Sequence, residues 1–576
     1  MLHAKGPLLT VDVGERSAET TDVDNVLSSF IGGRGVGTKL AHDRIPFDAD
    51  PLGPDNSLFF ATGPMQTSTM SFTGRTSCTA LSPLTDGLLS SNAGGFMSRH
   101  LADTGNAVVE ITGESDEPVV VHVRDDVDER GSSGSETESR PRVEFEEVPD
   151  LAGATVPQVT EHVEGRDEDL DAENVAAIGP AGENLVRFAA VMTTETRAFG
   201  RGGLGAVFGG KNVKAVTFAG DSPPEVDIDP VRMDVHREAS TSDHIMKRQG
   251  TTSVTDYANQ VEALPTRYFS ELSFEGVENV NGDRVEEKKF EKGTCSSCAF
   301  ACKLPTRDEE RGVETEGPEY ETLMTFGPNA GVDDIVDVMQ SNELCDTLGL
   351  DTISCGDVVS AHLSAEEEFG NAELVHELVE KVAYREGEGD LLAEGIDRVH
   401  EELGVENWSV KGMEFPAHDG RTLNGQGLGF ATSNRGADHM YATFYAYEYP
   451  LVDADSAYEM TGLDDKPPEL VRQENKRALE DCGVVCRFSR DMLTAERFEA
   501  LFDADFGDLL DVGARVIDLE RHFNNQRGFD RADDRLPYDI DGFDAALDEY
   551  YEVRGWNEDG TVSAAGGSSP SSPADD

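Results

Sequence analysis

Three cysteines stand within eight residues of this chain, in the stretch CSSCAFAC at 295–302. Their C-x2-C-x3-C spacing lets a single loop place Cys295, Cys298 and Cys302 around one metal centre. A four-coordinate metal ion or a cubane iron–sulfur cluster needs four ligands, and this loop supplies three. The fold must therefore bring a fourth ligand to the loop from a distant part of the chain.

The other cysteines are the candidates for that fourth ligand. They are, in order of preference, Cys482 and Cys486 in EDCGVVCRF, then Cys345 and Cys355, and last Cys78. The spacing favours a [4Fe–4S] cluster. A zinc site is the main alternative, because Cys482 and Cys486 can form a loose second pair. Thiols that bind no metal are the third alternative.

The chain is strongly acidic, with 48 basic and 113 acidic residues and a net charge of −65 over 576 residues. Such a charge repels nucleic acid and anionic lipid, so we expect neither as a partner. The acidic residues are spread over the whole length. This pattern is typical of an intracellular protein from an extreme halophile, and we predict a halophilic archaeal source.

No export or membrane signal is visible in the sequence. The N-terminal MLHAKGPLLTVDVG lacks the basic and apolar regions of a signal peptide. No run of eighteen apolar residues occurs, so no membrane span is expected. We therefore predict a cytoplasmic protein whose clustered cysteines are metal or redox ligands rather than disulfides.

The composition changes along the chain and predicts three domains with a tail. Short β-type runs such as SLFFATG and VKAVTFAG, separated by Gly and Thr, predict mainly β structure in the first part. Apolar residues three and four apart, as in AELVHELVEKVAY, predict helices in the rest. The predicted ranges are 1–220 (β-rich), 221–420 (helical), 421–556 (helical) and 557–576 (disordered tail).

Two further segments bear on function. The low-complexity acidic stretch at 124–142 predicts a solvated surface loop. GRGGLG at 200–205 fits G-x-G-x-x-G, but two glycines follow where a dinucleotide-binding turn needs a stable helix. We do not expect a Rossmann site there. Arg197, Arg201 and Lys211 can still bind a phosphate near this turn in another geometry.

Taken together, these segments resemble one family, the aldehyde ferredoxin oxidoreductases, which are tungsten or molybdenum bis-pyranopterin enzymes. The resemblance covers about residues 7–555 and rests on many segments in the same order rather than on any one of them. These are GGRGVGTKL, ATGPM, SNAGG, IGPAGENLVRFA, RAFGRGGLGAVFGGKNVKAV, CSSCAFAC, GPEYET, CDTLGLD, GFATSNRGADH and DCGVVC.

The resemblance implies an α+β fold, in which an N-terminal β-sheet domain forms a base for the cofactor and two mainly α-helical domains follow. It also implies the fourth cluster ligand, because the family motif D-x-x-G-L-C is similar to Asp481–Cys486. Cys486 is then the ligand and Cys482 a bystander. This chain departs from the motif, because Val484 and Val485 stand where the family has Gly and Leu.

The same resemblance implies which residues hold the cofactor. One pterin would be contacted from the D-x-x-G-L-D motif by Asp346, Leu350 and Asp351, and the other by Asp481 and Val485. A Mg²⁺ ion would bridge the pterin phosphates. The residues implied around it are Arg75 in TGRTS, Asn92 in SNAGG through its carbonyl, and a second carbonyl near Ala190.

For catalysis, the resemblance implies oxidation of an aldehyde to a carboxylic acid at the tungsten (or molybdenum) centre, which takes no protein ligand. Glu321 in PEYET would be the general base on water, and His439 in RGADH would donate a hydrogen bond to the carbonyl oxygen. Electrons would leave through the [4Fe–4S] cluster to ferredoxin, and a homodimer is compatible with the family.

Two alternatives remain at this point. Thr322 follows Glu321, where the best-known form of the family has histidine, so a different carbonyl or carboxylate substrate is one alternative. The other is a zinc-stabilised scaffold without redox chemistry.

Overall fold

The structure is a computed structural model that describes residues 1–125, 142–226, 228–449 and 457–563. Most of the predicted acidic surface loop, 126–141, lies outside the described residues, as does 564–576 of the predicted tail. The described start of that tail is hydrogen bonded. Asn557 N–H donates to Thr561 O at 3.0 Å, and Arg521 Nε donates to Gly560 O at 2.7 Å.

The first part of the chain begins with a six-stranded mixed sheet in the order β2-β1-β6-β3-β4-β5. Strands β1 and β6 are parallel, and the other neighbouring strands are antiparallel. The elements are β1 (Leu8–Asp12), β2 (Ser17–Thr21), α1 (Asp24–Phe30), α2 (Gly33–Arg44), β3 (Leu58–Ala61), β4 (Arg75–Leu81), β5 (Leu88–Gly94), α3 (Met97–Asp103) and β6 (Val108–Thr112).

A second six-stranded sheet follows, in the order β11-β10-β9-β12-β7-β8. Strands β7 and β12 are parallel. The elements are β7 (Val119–Arg124), β8 (Val143–Glu147), α4 (Val156–Arg166), β9 (Val175–Ala177), α5 (Pro180–Glu183), β10 (Val191–Thr193), β11 (Arg197–Phe199), α6 (Leu204–Gly210) and β12 (Val213–Ala219).

The two sheets pack against each other through a buried aromatic cluster. Phe60 of β3 meets the rings of Phe199, Phe208 and Phe218, all on elements of the second sheet, with centroids 5.7–5.9 Å apart in edge-to-face geometry. All four side chains are fully buried. Every second residue of these strands points into this shared core.

The rest of the chain is mainly helical, with two small hairpins. Its elements are α7 (Asp229–Thr241), α8 (Met246–Gln249), α9 (Thr255–Gln260), α10 (Gly282–Lys288), β13 (Pro305–Asp308), β14 (Val313–Glu316), α11 (Tyr320–Phe326), α12 (Ile335–Leu348), α13 (Thr352–Glu366), α14 (Ala372–Tyr384), α15 (Glu388–Leu392), α16 (Ile396–Leu403), β15 (Ser409–Val410), β16 (Met413–Glu414), α17 (Asn424–Thr432), α18 (Tyr445–Glu448), α19 (Lys466–Cys482), α20 (Ala495–Phe502), α21 (Phe506–Gln526) and α22 (Phe543–Arg554). Short 3-10 turns lie at Pro149–Leu151, Ala172–Asn174, Gly250–Val254, Val277–Asn279, Arg487–Met492 and Arg531–Asp533.

Local sequence signals set the ends of the helices that carry motifs. Asp334 caps α12 by accepting from the Val336 N–H, and Gly349 ends it with φ +78°. Proline stands in the first turn of α19, where its missing N–H costs no hydrogen bond. The β-rich N-terminal part followed by mainly helical parts confirms the predicted fold class. Within the described ranges, no helix has the length and apolar character needed to cross a bilayer.

Candidate functional site

The three-cysteine segment forms a tight loop. Gly293 and Lys303 pair across its base, and the Cys298 N–H donates to the Cys295 carbonyl at 3.0 Å. Ser296 adopts a left-handed φ of +43°, which turns the backbone sharply between the first two cysteines. The loop therefore holds its thiols around a common space, as the spacing predicts.

Cys486 reaches the same space from the other end of the chain. It follows α19, and its N–H donates to the Phe72 carbonyl at 2.8 Å, which ties this turn to the strand-rich part. A cavity of about 190 Å³ lies between the two segments. Four cysteines line it, namely Cys295, Cys298, Cys302 and Cys486. The structure thus brings Cys486 to the three-cysteine loop.

The remaining cysteines lie elsewhere. Cys482 ends α19 and packs against α2, where a Cβ on Gly35 would stand 2.7 Å from its Sγ. Burial raises the pKa of the Cys482 thiol to about 12, so it stays protonated at neutral pH. Cys345 and Cys355 are buried together between α12 and α13, and Cys78 is buried in β4.

A buried cation adjoins the four-cysteine cavity. Burial opposes the charge of Arg75, but the negative charges available on Cys486 and Cys295 outweigh it and raise the pKa of the guanidinium. Burial also raises the pKa of the Cys298 and Cys302 thiols. Binding of a thiolate-ligated centre must therefore release protons, and Arg75 stabilises the thiolate charge that results.

A cluster and a single zinc ion require different separations of their sulfur ligands. Within the described ranges, no three His, Cys, Asp or Glu side chains are placed to hold one metal ion. Zn–S bonds of about 2.3 Å would require the sulfurs of a zinc site to lie only about 4 Å apart. A cubane cluster spreads its four cysteine ligands further apart, because each binds a different iron.

Asp481 lies at the centre of a buried charged network next to this cavity. Its carboxylate accepts hydrogen bonds from Asn92 Nδ2 at 2.7 Å, Arg34 Nη1 at 3.2 Å and Arg487 Nη2 at 2.8 Å. The Arg75 Nη1 donates in turn to the Asn92 carbonyl at 3.4 Å. Three predicted site residues from distant parts of the sequence, Arg75, Asn92 and Asp481, therefore form one contact chain.

The departure from the D-x-x-G-L-C motif has a structural consequence. Val484 adopts φ +52°, a left-handed conformation that suits glycine and is strained for a β-branched residue. Its side chain is fully buried, and its carbonyl accepts from Gln66 Nε2 at 3.1 Å. Val485 is buried and donates its N–H to the Glu480 carbonyl at 2.9 Å. The turn at Val484 is therefore left-handed although the residue is valine.

The D-x-x-G-L-D motif spans the junction of α12 and α13. Asp351 caps α13 by accepting from the Ile353 and Ser354 N–H groups, and its carboxylate lies 3.3 Å from Arg201 Nε. The Ala190 N–H donates to the Gly349 carbonyl at 2.9 Å. The structure therefore places Ala190 next to this motif.

Of the other two residues of the motif, Leu350 is buried and Asp346 is partly buried in the same junction. Asp346 accepts from Asn342 Nδ2 at 3.0 Å, and burial raises the pKa of its carboxyl group well above the usual range. Leu350 pairs with Ala189 in an isolated β-bridge and is buried. A buried carboxyl group with few partners is suited to hydrogen bonding with a polar ligand.

Glu321 and His439 meet in the interior. Glu321 Oε1 lies 3.3 Å from His439 Nε2, and Glu321 Oε2 accepts from the Ala417 N–H at 2.7 Å. Glu321 lies in the first turn of α11. His439 lies seven residues after Thr432, the last residue of α17. His439 Nδ1 is buried without a hydrogen-bond partner among the described residues. The predicted base and hydrogen-bond donor are thus adjacent, with one ring nitrogen unpaired.

Comparison with known proteins gives two family matches that together cover most of the chain. Residues 8–220 match "Aldehyde ferredoxin oxidoreductase, N-terminal domain", and residues 231–566 match "Aldehyde ferredoxin oxidoreductase, domains 2 & 3". The chain belongs to the aldehyde ferredoxin oxidoreductase family.

Individual relatives agree with this membership of the family. The chain is 31% identical to the tungsten-containing aldehyde ferredoxin oxidoreductase of Pyrococcus furiosus over 97% of both chains. It is 31% identical to the enzyme of the same description from Thermococcus kodakarensis over 94% of both. A more distant relative, at 27% identity over 90% of this chain and 86% of the other, is the WOR-like subunit of an aliphatic sulfonate oxidoreductase from P. furiosus.

One solved structure shares the fold. The BamBC active-site complex of benzoyl coenzyme A reductase superposes with a TM-score of 0.81, covering 96% of this chain and 95% of that chain at 21% identity. At this identity the likeness concerns the fold alone.

Within this family site, sequence analysis missed His418. Its Nε2 lies 3.6 Å from Glu321 Oε1, on the same carboxylate oxygen that faces His439. The His418 ring stacks on Tyr445 with centroids 3.7 Å apart, and its Nδ1 has no partner among the described residues. Burial, with a smaller contribution from His439, lowers the pKa of His418 well below the usual value. No spacing in PAHDG marks this residue, because it reaches Glu321 only through the tertiary fold.

Buried polar atoms around the motifs fit a large polar cofactor. Several side-chain atoms on the residues next to these motifs are buried and have no partner among the described residues. They are Asn92 Oδ1, Thr193 Oγ1, Thr194 Oγ1, Arg435 Nε, His439 Nδ1 and Arg487 Nε. Leaving such groups unpaired costs about 1–3 kcal/mol each. A pyranopterin, which is rich in nitrogen, oxygen and phosphate, can satisfy them.

Proposed function

We propose that this protein oxidises an aldehyde to the carboxylic acid with water and passes the electrons to a ferredoxin. One aldehyde and one water give one carboxylic acid, two protons and two electrons. A tungsten (or molybdenum) bis-pyranopterin, when bound, supplies the two-electron acceptor, and a [4Fe–4S] cluster supplies the exit for single electrons. The observations that carry the proposal are that four cysteines line one cavity and that a partly buried Glu321 faces His439, in a chain of this family.

The chain's own residues would perform the proton chemistry. Glu321 takes a proton from the attacking water. The Ala417 N–H fixes its Oε2 by a hydrogen bond, and its Oε1 faces the two histidines. His439 donates a hydrogen bond to the aldehyde oxygen, where negative charge develops. The enclosing aromatic side chains of Tyr320 and Tyr445, both buried or partly buried, limit the access of bulk water.

We assign the cofactor-holding residues as the family motifs suggest. Asp346, Leu350 and Asp351 would contact one pterin, and Asp481 and Val485 the other. The carbonyls of Asn92 and Ala190 would bind a Mg²⁺ ion held by the pterin phosphates, and Arg75 would lie next to it. In support, Arg75 contacts the Asn92 carbonyl, and Ala190 adjoins the D-x-x-G-L-D motif. We propose the same three domains, 1–220, 221–420 and 421–556.

Elemental analysis of protein purified without oxygen from its native host tests the proposal. Inductively coupled plasma mass spectrometry is expected to find about four iron atoms and one tungsten atom per chain. Molybdenum in place of tungsten would leave the residue roles unchanged. Zinc without iron or tungsten would overturn the enzyme assignment.

A second candidate function is oxidation or reduction of another carbonyl or carboxylate substrate. Two observations favour it: Thr322 follows Glu321, and His418 adds a second imidazole to the carboxylate. A panel of aliphatic aldehydes, aromatic aldehydes and carboxylates distinguishes the two functions. A kcat/KM at least tenfold higher for a substrate other than an aldehyde would favour the second.

The charge of the chain predicts how salt affects turnover. We propose a halophilic source, and an acidic ferredoxin as partner would repel a chain of net charge −65. The Debye length falls from about 30 Å at 0.01 M to about 3 Å at 1 M salt, so the repulsion is screened only at high salt. Electron transfer to ferredoxin is therefore expected to fail at low ionic strength. Equal rates at both salt concentrations, with the circular dichroism spectrum unchanged, would contradict this.

The neutral state of His418 predicts a pH dependence of stability. An unfolded histidine binds a proton near pH 6.5, whereas buried His418 binds one only at much lower pH. Its contribution to stability is thus fully present above about pH 6.5 and is lost as the pH falls, by up to about 1.4 kcal/mol per pH unit. His418→Phe keeps the stacking on Tyr445 and removes this titration. Thermal unfolding between pH 7.5 and 5.5 is expected to show a smaller loss for the variant than for the wild type, and equal losses would contradict the assignment.

A further inference from the structure

The lysines of this chain are unevenly distributed. There are thirteen in the whole sequence, and five of them fall between residues 247 and 303. The chain as a whole has a net charge of −65, so this cluster of lysines is a local exception to its strongly negative charge. The segment leads directly into the three-cysteine loop, because Lys292 stands three residues before Cys295.

Three of these lysines keep their charge unpaired. Lys247 Nζ donates to backbone carbonyls, Lys289 Nζ donates to the Lys247 carbonyl at 3.1 Å, and Lys292 is exposed. None of the three forms an ion pair within the described part of the chain. Eight other lysines do form ion pairs, namely Lys5, Lys39, Lys214, Lys288, Lys303, Lys381, Lys411 and Lys466. Lys211 also lacks an ion pair among the described residues, but it is buried and donates to the Pro54 and Gly113 carbonyls, whereas Lys247, Lys289 and Lys292 lie close together in one segment.

Lys247, Lys289 and Lys292 line an open groove of about 350 Å³ together with an exposed aromatic ring. We define the basic patch as Lys247, Arg248, Lys289, Phe290 and Lys292, which line that groove together with Glu286 and Glu291. Phe290 is 41% exposed, and the guanidinium of Arg307 lies 4.1 Å from its ring centroid. Exposed aromatic residues and arginines are enriched in protein interfaces, and the lysines add positive charge that can attract an acidic partner.

The basic patch adjoins the four-cysteine cavity. Gly293 pairs with Lys303 at the base of the cysteine loop, directly after the patch. Lys247 Nζ lies 5.9 Å from the ring centroid of Phe300, which stands between Cys298 and Cys302. Lys289 pairs with Thr306 in an isolated β-bridge just after the cysteine loop. A protein bound on the patch would therefore lie beside the proposed cluster.

We propose that the basic patch docks an acidic one-electron carrier protein of the ferredoxin class. This inference rests on the proposed function, because it requires that electrons leave through the four-cysteine centre. The net charge of the chain repels such a carrier at long range, but that repulsion is short-ranged in concentrated salt. At contact, carboxylates of the carrier meet unpaired cations, which selects both the partner and its orientation.

The test compares two electron acceptors in high salt. The variant is Phe290→Ala combined with Lys292→Glu, and the matched control is Lys381→Glu on α14, which packs against α5, α12, α13 and α15. We expect the KM for an acidic plant-type ferredoxin to rise roughly tenfold in the variant and to stay unchanged in the control. Aldehyde-dependent reduction of benzyl viologen should stay within twofold in both. A ferredoxin KM within twofold of wild type, with viologen reduction retained, overturns the proposal.

Cross-linking of the wild-type protein gives an answer that does not depend on the variant folding. A carbodiimide joins lysine amines to carboxylates in contact, so ferredoxin is expected to be linked to Lys289 or Lys292. Links only to lysines outside the basic patch overturn the proposal. Absence of any aldehyde-dependent viologen reduction by metal-replete wild-type protein would instead refute the proposed function, and the two failures are thus distinguishable.

Discussion

Replacing Glu321 by glutamine is expected to lower kcat for aldehyde oxidation by roughly 10²–10⁴-fold, the usual contribution of a general base. Glutamine can still accept the Ala417 N–H and contact His439, so the local structure should persist. It cannot take a proton from water. Steady-state kinetics with benzyl viologen as acceptor measure the effect without involving the ferredoxin surface.

The control for this variant is Glu373→Gln, an exposed glutamate on α14. Iron and tungsten contents of both variants should equal those of the wild type, which separates loss of proton transfer from loss of cofactor. A Glu321→Gln enzyme that keeps both metals and retains kcat within twofold would remove Glu321 from the proton chemistry.

Replacing Cys486 by serine is expected to abolish most of the cluster, because Cys486 is the only cysteine outside the loop that lines the four-cysteine cavity. Iron per chain should fall well below about four, and the broad absorption near ~400 nm should disappear. Loss of the electron exit should also stop ferredoxin reduction. Metal analysis and absorption spectra of anaerobically purified protein measure both effects.

Cys482→Ser is the matched control, four residues away in sequence. It buries a hydroxyl group in an apolar contact with α2, which should lower stability by about 1–3 kcal/mol but leave iron content unchanged. If Cys482→Ser loses iron and Cys486→Ser keeps it, the two assignments must be exchanged.

The sequence by itself predicts much of this protein. Short β-type runs separated by Gly and Thr in the first 220 residues predict mainly β structure there. Helical spacing identifies α14 and α21 in the same way. The C-x2-C-x3-C spacing favours a metal-binding loop, since it lets one loop place three ligands around a common centre. Family motifs extend these predictions to Glu321 and His439.

The cysteine spacing alone leaves Cys482 and Cys486 open, and the tertiary structure shows that Cys486 lines the cavity of the three-cysteine loop. Four residues apart, they would share one face of a continuous helix. Helix α19 instead ends at Cys482, and the left-handed turn at Val484 reverses the chain. One thiol is left against α2 and the other faces the cysteine loop. The positions of His418 and of the basic patch also depend on tertiary packing. Glu321 contacts His418, and Lys289 contacts Lys247, because packing brings together segments that are distant in sequence. Sequence periodicity reports which face of an element is buried, and long-range packing determines which buried or exposed groups become neighbours.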